Sequence, residues 1–222
     1  MIRLHNVNKY FYRGESREVH ALKNINLTIE EGEFSVISGP SGCGKTTLLN
    51  AIGVLDAIDE GEIWLEDREI ATLKPAQKTA IRLQEIGFVF QAYNLVPVLN
   101  VAENIGFIMR LQGYEEQLIK ERVAEVAKIL QIEDKLDALP NLLSGGEQQR
   151  VAVARAVASK PKIILADEPT ANLDSKNSIA LMKMMHELNT KEGVTILFSS
   201  HDDYVIENAR RVILLNDGEI LS

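Results

Sequence analysis

Gly39-Pro-Ser-Gly-Cys-Gly-Lys45-Thr46 decides how this chain reads. The segment fits G-x-x-x-x-G-K-[ST] and stands between the apolar run Phe34-Ser-Val-Ile-Ser38 and the helix-like Thr47-Leu-Leu-Asn-Ala-Ile52. Strand, loop and helix therefore arrive in the order that a phosphate-binding loop requires. Glycines let consecutive backbone N–H groups converge on phosphate oxygens, with the positive end of the next helix behind them. Lys45 is set to reach the β- and γ-phosphates, and the Thr46 hydroxyl to ligate Mg²⁺. A merely flexible glycine-rich turn is the competing reading, and it leaves the strand before and the helix after unexplained.

A second glycine-rich segment, Leu143-Ser-Gly-Gly-Glu-Gln-Gln-Arg150, precedes Val151-Ala-Val-Ala-Arg-Ala-Val-Ala158. Ser144 is a good N-cap and Glu147 completes a capping box, which alone describes a well-started helix. The adjacent Gly145 and Gly146 are costly there unless something must approach the backbone closely. Holding one nucleotide needs only the first segment. The pair predicts a composite site, through which a nucleotide can control an association between subunits.

Lys162-Ile-Ile-Leu-Ala-Asp167-Glu168 is a continuous apolar run ending in two acids, the pattern of a buried parallel strand. Ligands of open α/β sheets collect at that carboxyl edge. Two adjacent acids repel there unless a cation is near. Strand alternation points Asp167 toward a metal and Glu168 toward an attacking water, as general base. A solvated pair of strand-end acids is the alternative.

Three further candidates follow from strand ends and aromatic content. Gln91 follows Ile86-Gly-Phe-Val-Phe90, where an amide can bridge metal and water; alone it reads as a turn residue. His201 follows Thr195-Ile-Leu-Phe-Ser-Ser200, where an imidazole can bond a γ-phosphate; alone it reads as a structural histidine. Tyr10-Phe11-Tyr12 supplies a flat ring that can stack on adenine, or simply core.

The ordered set of phosphate loop, Gln91, Leu143–Arg150, Asp167-Glu168, Ala171-Asn-Leu-Asp174 and His201 resembles the nucleotide-binding subunit of ATP-binding-cassette (ABC) transporters, over essentially the whole chain. Gly87-Phe-Val-Phe-Gln-Ala-Tyr-Asn-Leu-Val-Pro97 and Leu165-Ala-Asp-Glu-Pro-Thr170 look most like the lipoprotein-release and macrolide-export branch. Ala171 departs from the glycine usual in that branch, a small-for-small exchange. The resemblance implies one α/β domain over 1–222: a P-loop NTPase core with a parallel sheet, an antiparallel β subdomain and an inserted helical subdomain over about 92–158. It implies ATP and Mg²⁺ held by Gly39, Pro40, Ser41, Gly42, Cys43, Gly44, Lys45, Thr46 and Thr47. Thr46, Gln91 and Asp167 would face the metal. By register after Lys9, Phe11 would stack on the base, ahead of Tyr10 and Tyr12.

Ser144, Gly145, Gly146 and Gln148 would close on the nucleotide of a second copy, with Glu168, His201 and Gln91 serving hydrolysis. An integral membrane permease is the further partner implied, docked on the helical insert, with the chain peripheral on the inner face of the membrane. The alternative function is the ATPase of a non-transporting, cell-division-type membrane complex, whose motifs are almost the same. A DNA-repair ATPase of the chromosome type would need a long coiled-coil insert, for which the spacing leaves no room.

Composition agrees. A chain of 222 residues with 45% hydrophobic and 25% charged residues is ordinary for one globular core. A net charge of −8 argues against a nucleic-acid partner. It leaves open binding to a membrane protein's cytoplasmic loops, which are typically Lys/Arg-rich. No apolar run approaches the ~18–20 residues that span a bilayer. Met1-Ile-Arg-Leu-His-Asn lacks a signal-peptide core, so a cytosolic location is expected. The lone Cys43 excludes an internal disulfide and reads as a packing residue. Ile2–Val7, Leu22–Ile29 and Glu62–Leu65 read as antiparallel strands with one wet face. Glu115–Gln131 reads as a helix with Ile119, Val123, Val126 and Leu130 on its core stripe, and Met182 and Met185 as core of a later helix.

Overall fold

The N-terminal segments with alternating polarity pair with each other: β1 (Ile2–Phe11) runs antiparallel to β2 (Val19–Ile29). Then come β3 (Phe34–Ser38), helix α1 (Lys45–Ile52), β4 (Glu60–Leu65), the short β5 (Arg68–Glu69), α2 (Pro75–Gln84) and β6 (Ile86–Val89). Helices α3 (Val101–Leu111), α4 (Glu116–Ile129) and α5 (Gly145–Ala158) precede β7 (Ile163–Asp167). The chain continues through α6 (Ser175–Glu192), β8 (Thr195–Ser200), α7 (Asp203–Glu207), β9 (Arg211–Asn216) and β10 (Glu219–Leu221). This is a computed structural model, and it describes residues 1–221.

Two sheets result. One is antiparallel in the order β2-β1-β4-β5; the other has the order β10-β9-β3-β8-β7-β6. In the second, all neighbours are parallel except β10 and β9. Its strands are apolar on both faces, and their period of two deals side chains alternately to two cores. Phe34, Val36, Ile164, Ala166, Ile196 and Phe198 pack toward α3–α6. Ile37, Ile163, Leu165 and Leu197 pack toward α1 and the antiparallel sheet. Each of these side chains larger than alanine contributes about 1.5–3 kcal/mol when fully buried. The sheet is thereby held rigid between two apolar layers, with the carboxyl ends of β3, β7 and β8 side by side.

The expected α4 stripe is the buried one: Ile119, Val123, Val126 and Leu130 all lie in the core, as do Met182 and Met185 of α6. The helix itself is shorter than its periodicity suggests, with Glu115 and Leu130 as its caps. Gln131 takes a left-handed φ of 55° and ends it. Helix α2 has no strong sequence stripe, because only Ile81 of its residues is buried. One buried cation ties the α3–α5 insert to the rest. Arg122 of α4 donates to the carbonyls of Val157 (3.1 Å) and Ala158 (3.2 Å) at the end of α5 and to the Glu192 carboxylate of α6 (2.6 Å). Burial works against that charge, yet the Glu192 and Glu125 carboxylates raise its pKa.

Candidate nucleotide site

The phosphate loop leaves β3 at Ser38 and enters α1 at Lys45. Two of its glycines are required by geometry. A Cβ on Gly39 would stand 1.9 Å from the Leu215 carbonyl oxygen, so β9 packs directly on the loop backbone. Gly44 caps α1 with a φ of 108°, and a Cβ there would lie 2.7 Å from the Ala21 carbonyl oxygen. The β9–β10 turn adds a third brace: the Gly218 N–H donates to the Cys43 carbonyl at 3.0 Å. Cys43 is buried, in keeping with a packing role.

The Lys45 ammonium is curled under the loop, only 6% exposed, donating to the carbonyls of Gly39 (2.8 Å) and Pro40 (3.1 Å). Its Nζ also lies 4.0 Å from Glu168 Oε1. Across the sheet, Asp167 accepts from the Thr46 hydroxyl at 2.9 Å through Oδ2 and from Ser199 at 2.6 Å through Oδ1. A hydroxyl and a carboxylate converging this way are the hard oxygen donors that Mg²⁺ prefers, with room for phosphate and water ligands. The residues present therefore fit the ion.

Glu168 does not follow strand alternation. Its φ of 45° is left-handed, a conformation that costs a non-glycine residue on the order of 1–3 kcal/mol. The backbone, rather than the pleat, therefore sets where its carboxylate lies: 3.1 Å from His201 Nδ1 and beside Lys45. The His201 side chain is mostly exposed and reaches Glu168 from outside the residues that line the adjoining cavity.

These groups border a cavity of about 560 Å³ that Phe11, Ser41 to Thr47, Gln91, Asp167 and Glu168 all line. Gly39 and Pro40 sit behind it, holding Lys45. Among the three aromatics, Phe11 alone lines the cavity, with Lys9 Nζ 5.5 Å from its ring centre. Tyr10 stacks on His20 at 4.0 Å and Tyr12 lies under Arg17. Val19, His20, Asp217 and Gly218 also line the cavity and were not read from the sequence. The Asp217-Gly218 turn carries a visible signal, an Asn-Asp-Gly hairpin.

Ser144, Gly145, Gly146 and Gln148 lie outside this cavity. Ser144 caps α5 as expected: its hydroxyl accepts from the Glu147 N–H, and Glu147 accepts from the Ser144 N–H at 2.8 Å. Those backbone and hydroxyl bonds from Ser144 hold the Glu147 carboxyl below its ordinary pKa. Gly145 rests against the Tyr93 hydroxyl. Arg155, further along α5, is buried without a carboxylate partner among the described residues, and burial lowers its pKa. It donates instead to the carbonyls of Tyr93 and Asn94, two left-handed residues in the loop after Gln91. Arg155 thus ties the α5 helix to the loop after Gln91, a contact that the sequence does not reveal.

A parallel sheet carrying a phosphate loop, a metal-ready hydroxyl–carboxylate pair and a poised second acid defines a nucleoside-triphosphate-binding protein. The sequence pattern described as ABC transporter matches residues 22–171. An uncharacterized ABC transporter ATP-binding protein, MJ1508, of Methanocaldococcus jannaschii is 43% identical over 221 residues, covering 100% of this chain and 98% of that protein. The macrolide export ATP-binding/permease protein MacB of Aggregatibacter actinomycetemcomitans is 42% identical over 222 residues, with this chain spanning 34% of its length. Among solved structures, the dimeric post-hydrolysis state of the ATP-binding cassette MJ0796 bound to ADP and Pi superposes with a TM-score of 0.91 at 42% identity, covering 100% of this chain and 97% of that one. The chain belongs to the ABC transporter family, as its ATPase cassette.

Proposed function

We propose that this chain powers a membrane transporter by hydrolysing ATP between two copies of itself. One observation carries the reading. The Ser144–Gly146 segment opens a helix whose Gly145 and Gly146 N–H groups have no hydrogen-bond partner among the described residues, yet it stands apart from the cavity that the phosphate loop lines. Such an anion-seeking helix start has its use on a phosphate presented by another chain. The dimeric state in which MJ0796 was solved, with ADP and Pi, supports the arrangement.

Phe11 stacks on adenine, while the loop N–H groups and the Lys45 ammonium take the phosphates. Thr46 and Asp167 would hold Mg²⁺, with the Gln91 amide beside them, and the ion when bound would supply charge neutralisation at the phosphates. Glu168 takes the proton of the attacking water, with its carboxylate oriented by His201, which is also placed to bond the γ-phosphate. Ser144, Gly145, Gly146 and Gln148 of the second copy close the site, and departure of phosphate reopens it. Residues 92–158 act as the helical subdomain that transmits this motion.

The permease surface is the groove of about 290 Å³ between β6 and helices α3 and α5, lined by Phe88, Phe90, Phe107 and Ile108. Arg82 and Arg155 also line it, neither paired with a carboxylate among the described residues. That combination suits a cytoplasmic helix carrying apolar and acidic side chains. The permease half named for MacB supports a membrane partner. No helix among the described residues is long and apolar enough to cross a membrane.

Gly145→Asp tests the shared site. Within its own chain the new Cβ meets the Tyr93 hydroxyl at 3.0 Å, with the Asn172 carbonyl oxygen 4.0 Å away, and an acid suits the first turn of a helix. Against a phosphate from a second chain it places like charge on like charge. ATP affinity of the monomer is expected to stay within about twofold, while dimer formation and hydrolysis are lost. An affinity loss as large as that of Lys45→Ala, measured by nucleotide titration, would place Gly145 in the binding site of its own chain and end the reading.

A further inference from the structure

Ser199 sits on β8 directly across from Asp167 and is fully buried. Its hydroxyl does two things at once. It donates to Asp167 Oδ1 at 2.6 Å, and it accepts the Glu168 backbone N–H at 2.9 Å. Asp167 is the last β7 residue in the strand ladder, so the Glu168 N–H is taken by a side chain where a neighbouring strand's carbonyl would otherwise stand. One oxygen thus holds two consecutive acids by different handles: the carboxylate of the first and the backbone of the second.

Each handle has a consequence. With Oδ1 engaged by Ser199, Oδ2 is the shorter contact to the Thr46 hydroxyl, 2.9 Å against 3.2 Å. Capping the Glu168 N–H offsets part of the cost of that residue's left-handed φ, the conformation that brings its carboxylate beside Lys45 and His201. A side chain without a hydroxyl at this position would free Asp167 to rotate and would leave a backbone N–H unpaired in a buried strand end.

We propose that Ser199 is a positioning residue that fixes the Asp167 carboxylate for the metal and the Glu168 backbone for base catalysis. The inference rests on the roles given above to Asp167 and Glu168. It assigns to β8 a part in aligning both acids, which neither acid can supply for itself.

The test compares Ser199→Ala, Ser199→Cys and Asp167→Asn in the full chain loaded with ADP, using Mn²⁺ as the metal probe. Losing a hydrogen bond to a carboxylate weakens Mn²⁺ affinity roughly tenfold in Ser199→Ala, read by electron paramagnetic resonance titration. The ATPase kcat falls by a similar factor, while KM for ATP and the metal-free affinity for ADP stay within about twofold. The unchanged metal-free affinity certifies that the loop is folded. Ser199→Cys, a weaker donor of similar size, is expected between the two.

Parent-like Mn²⁺ affinity and kcat in Ser199→Ala would overturn the proposal, as would equal losses of metal-bound and metal-free ADP affinity. Asp167→Asn separates the layers. If it abolishes Mn²⁺ binding while Ser199→Ala leaves it intact, Ser199 alone is misassigned. If Asp167→Asn itself binds Mn²⁺ like the parent, the metal role of Asp167 falls, and the Ser199 proposal with it.

Discussion

Lys45→Ala is expected to cost about 2–5 kcal/mol of ATP binding, roughly thirty-fold to several-thousand-fold in affinity. The magnitude follows from where the ammonium sits. It is 6% exposed, held by the Gly39 and Pro40 carbonyls, and it is the point charge nearest the loop. A cation so little exposed to water acts on phosphate with weak screening. Truncation also removes the donor that the Gly39 and Pro40 carbonyls share. Calorimetric titration of ATP into the variant measures the loss, and an unchanged Tm would show that the fold survives. Affinity within fivefold of the parent would mean that the loop N–H groups carry the phosphates unaided.

Glu168→Gln is expected to keep ATP binding and lower turnover by about 10²–10⁴-fold, the range of a positioned general base. Glutamine keeps the shape and an acceptor for His201 Nδ1, which lies 3.1 Å from the native carboxylate, but it cannot take a proton. The left-handed backbone and its Ser199 contact are untouched by the change. Binding without turnover should trap the closed pair, so size-exclusion chromatography with ATP should show a dimer that the parent holds only transiently. Hydrolysis within a few-fold of the parent would remove Glu168 from the role of base.

Much of this architecture is legible in the residues. Phe34–Ser38 and Lys162–Asp167 announce buried parallel strands because both faces are apolar. The loop between Gly39 and Thr46 announces its ligand because glycine and lysine at that spacing have few other uses. The Ser144–Glu147 capping box is likewise local, and it forms as read.

What escaped detection depends on contacts between distant segments. Helix α2 buries only Ile81, so it leaves no stripe to read. Ser199 lies inside an otherwise apolar strand, and only the β7–β8 register reveals that it faces Asp167. Arg155 reads as an ordinary surface cation until the fold places it under Tyr93 and Asn94. Strand alternation, which points Glu168 away from Asp167, fails at a residue whose φ is 45°. The missing ingredient in each case is tertiary geometry; of these residues Glu168 lines the cavity, with Ser199 bonded to its backbone, while Arg155 borders the groove beside β6 and Ile81 lies in the core.

The central claim is that one chain supplies the phosphate loop and another supplies Ser144–Gly146. Specific ATPase activity measured across a hundredfold range of protein concentration tests it most directly. The shared site predicts activity per chain that rises with concentration, with a sigmoidal ATP dependence whose Hill coefficient lies between about one and two. Added salt should favour the active pair, since a net charge of −8 on each copy opposes association and is screened beyond about 8 Å at physiological ionic strength. Activity per chain that stays constant over the whole dilution, with a hyperbolic ATP curve, would contradict the account.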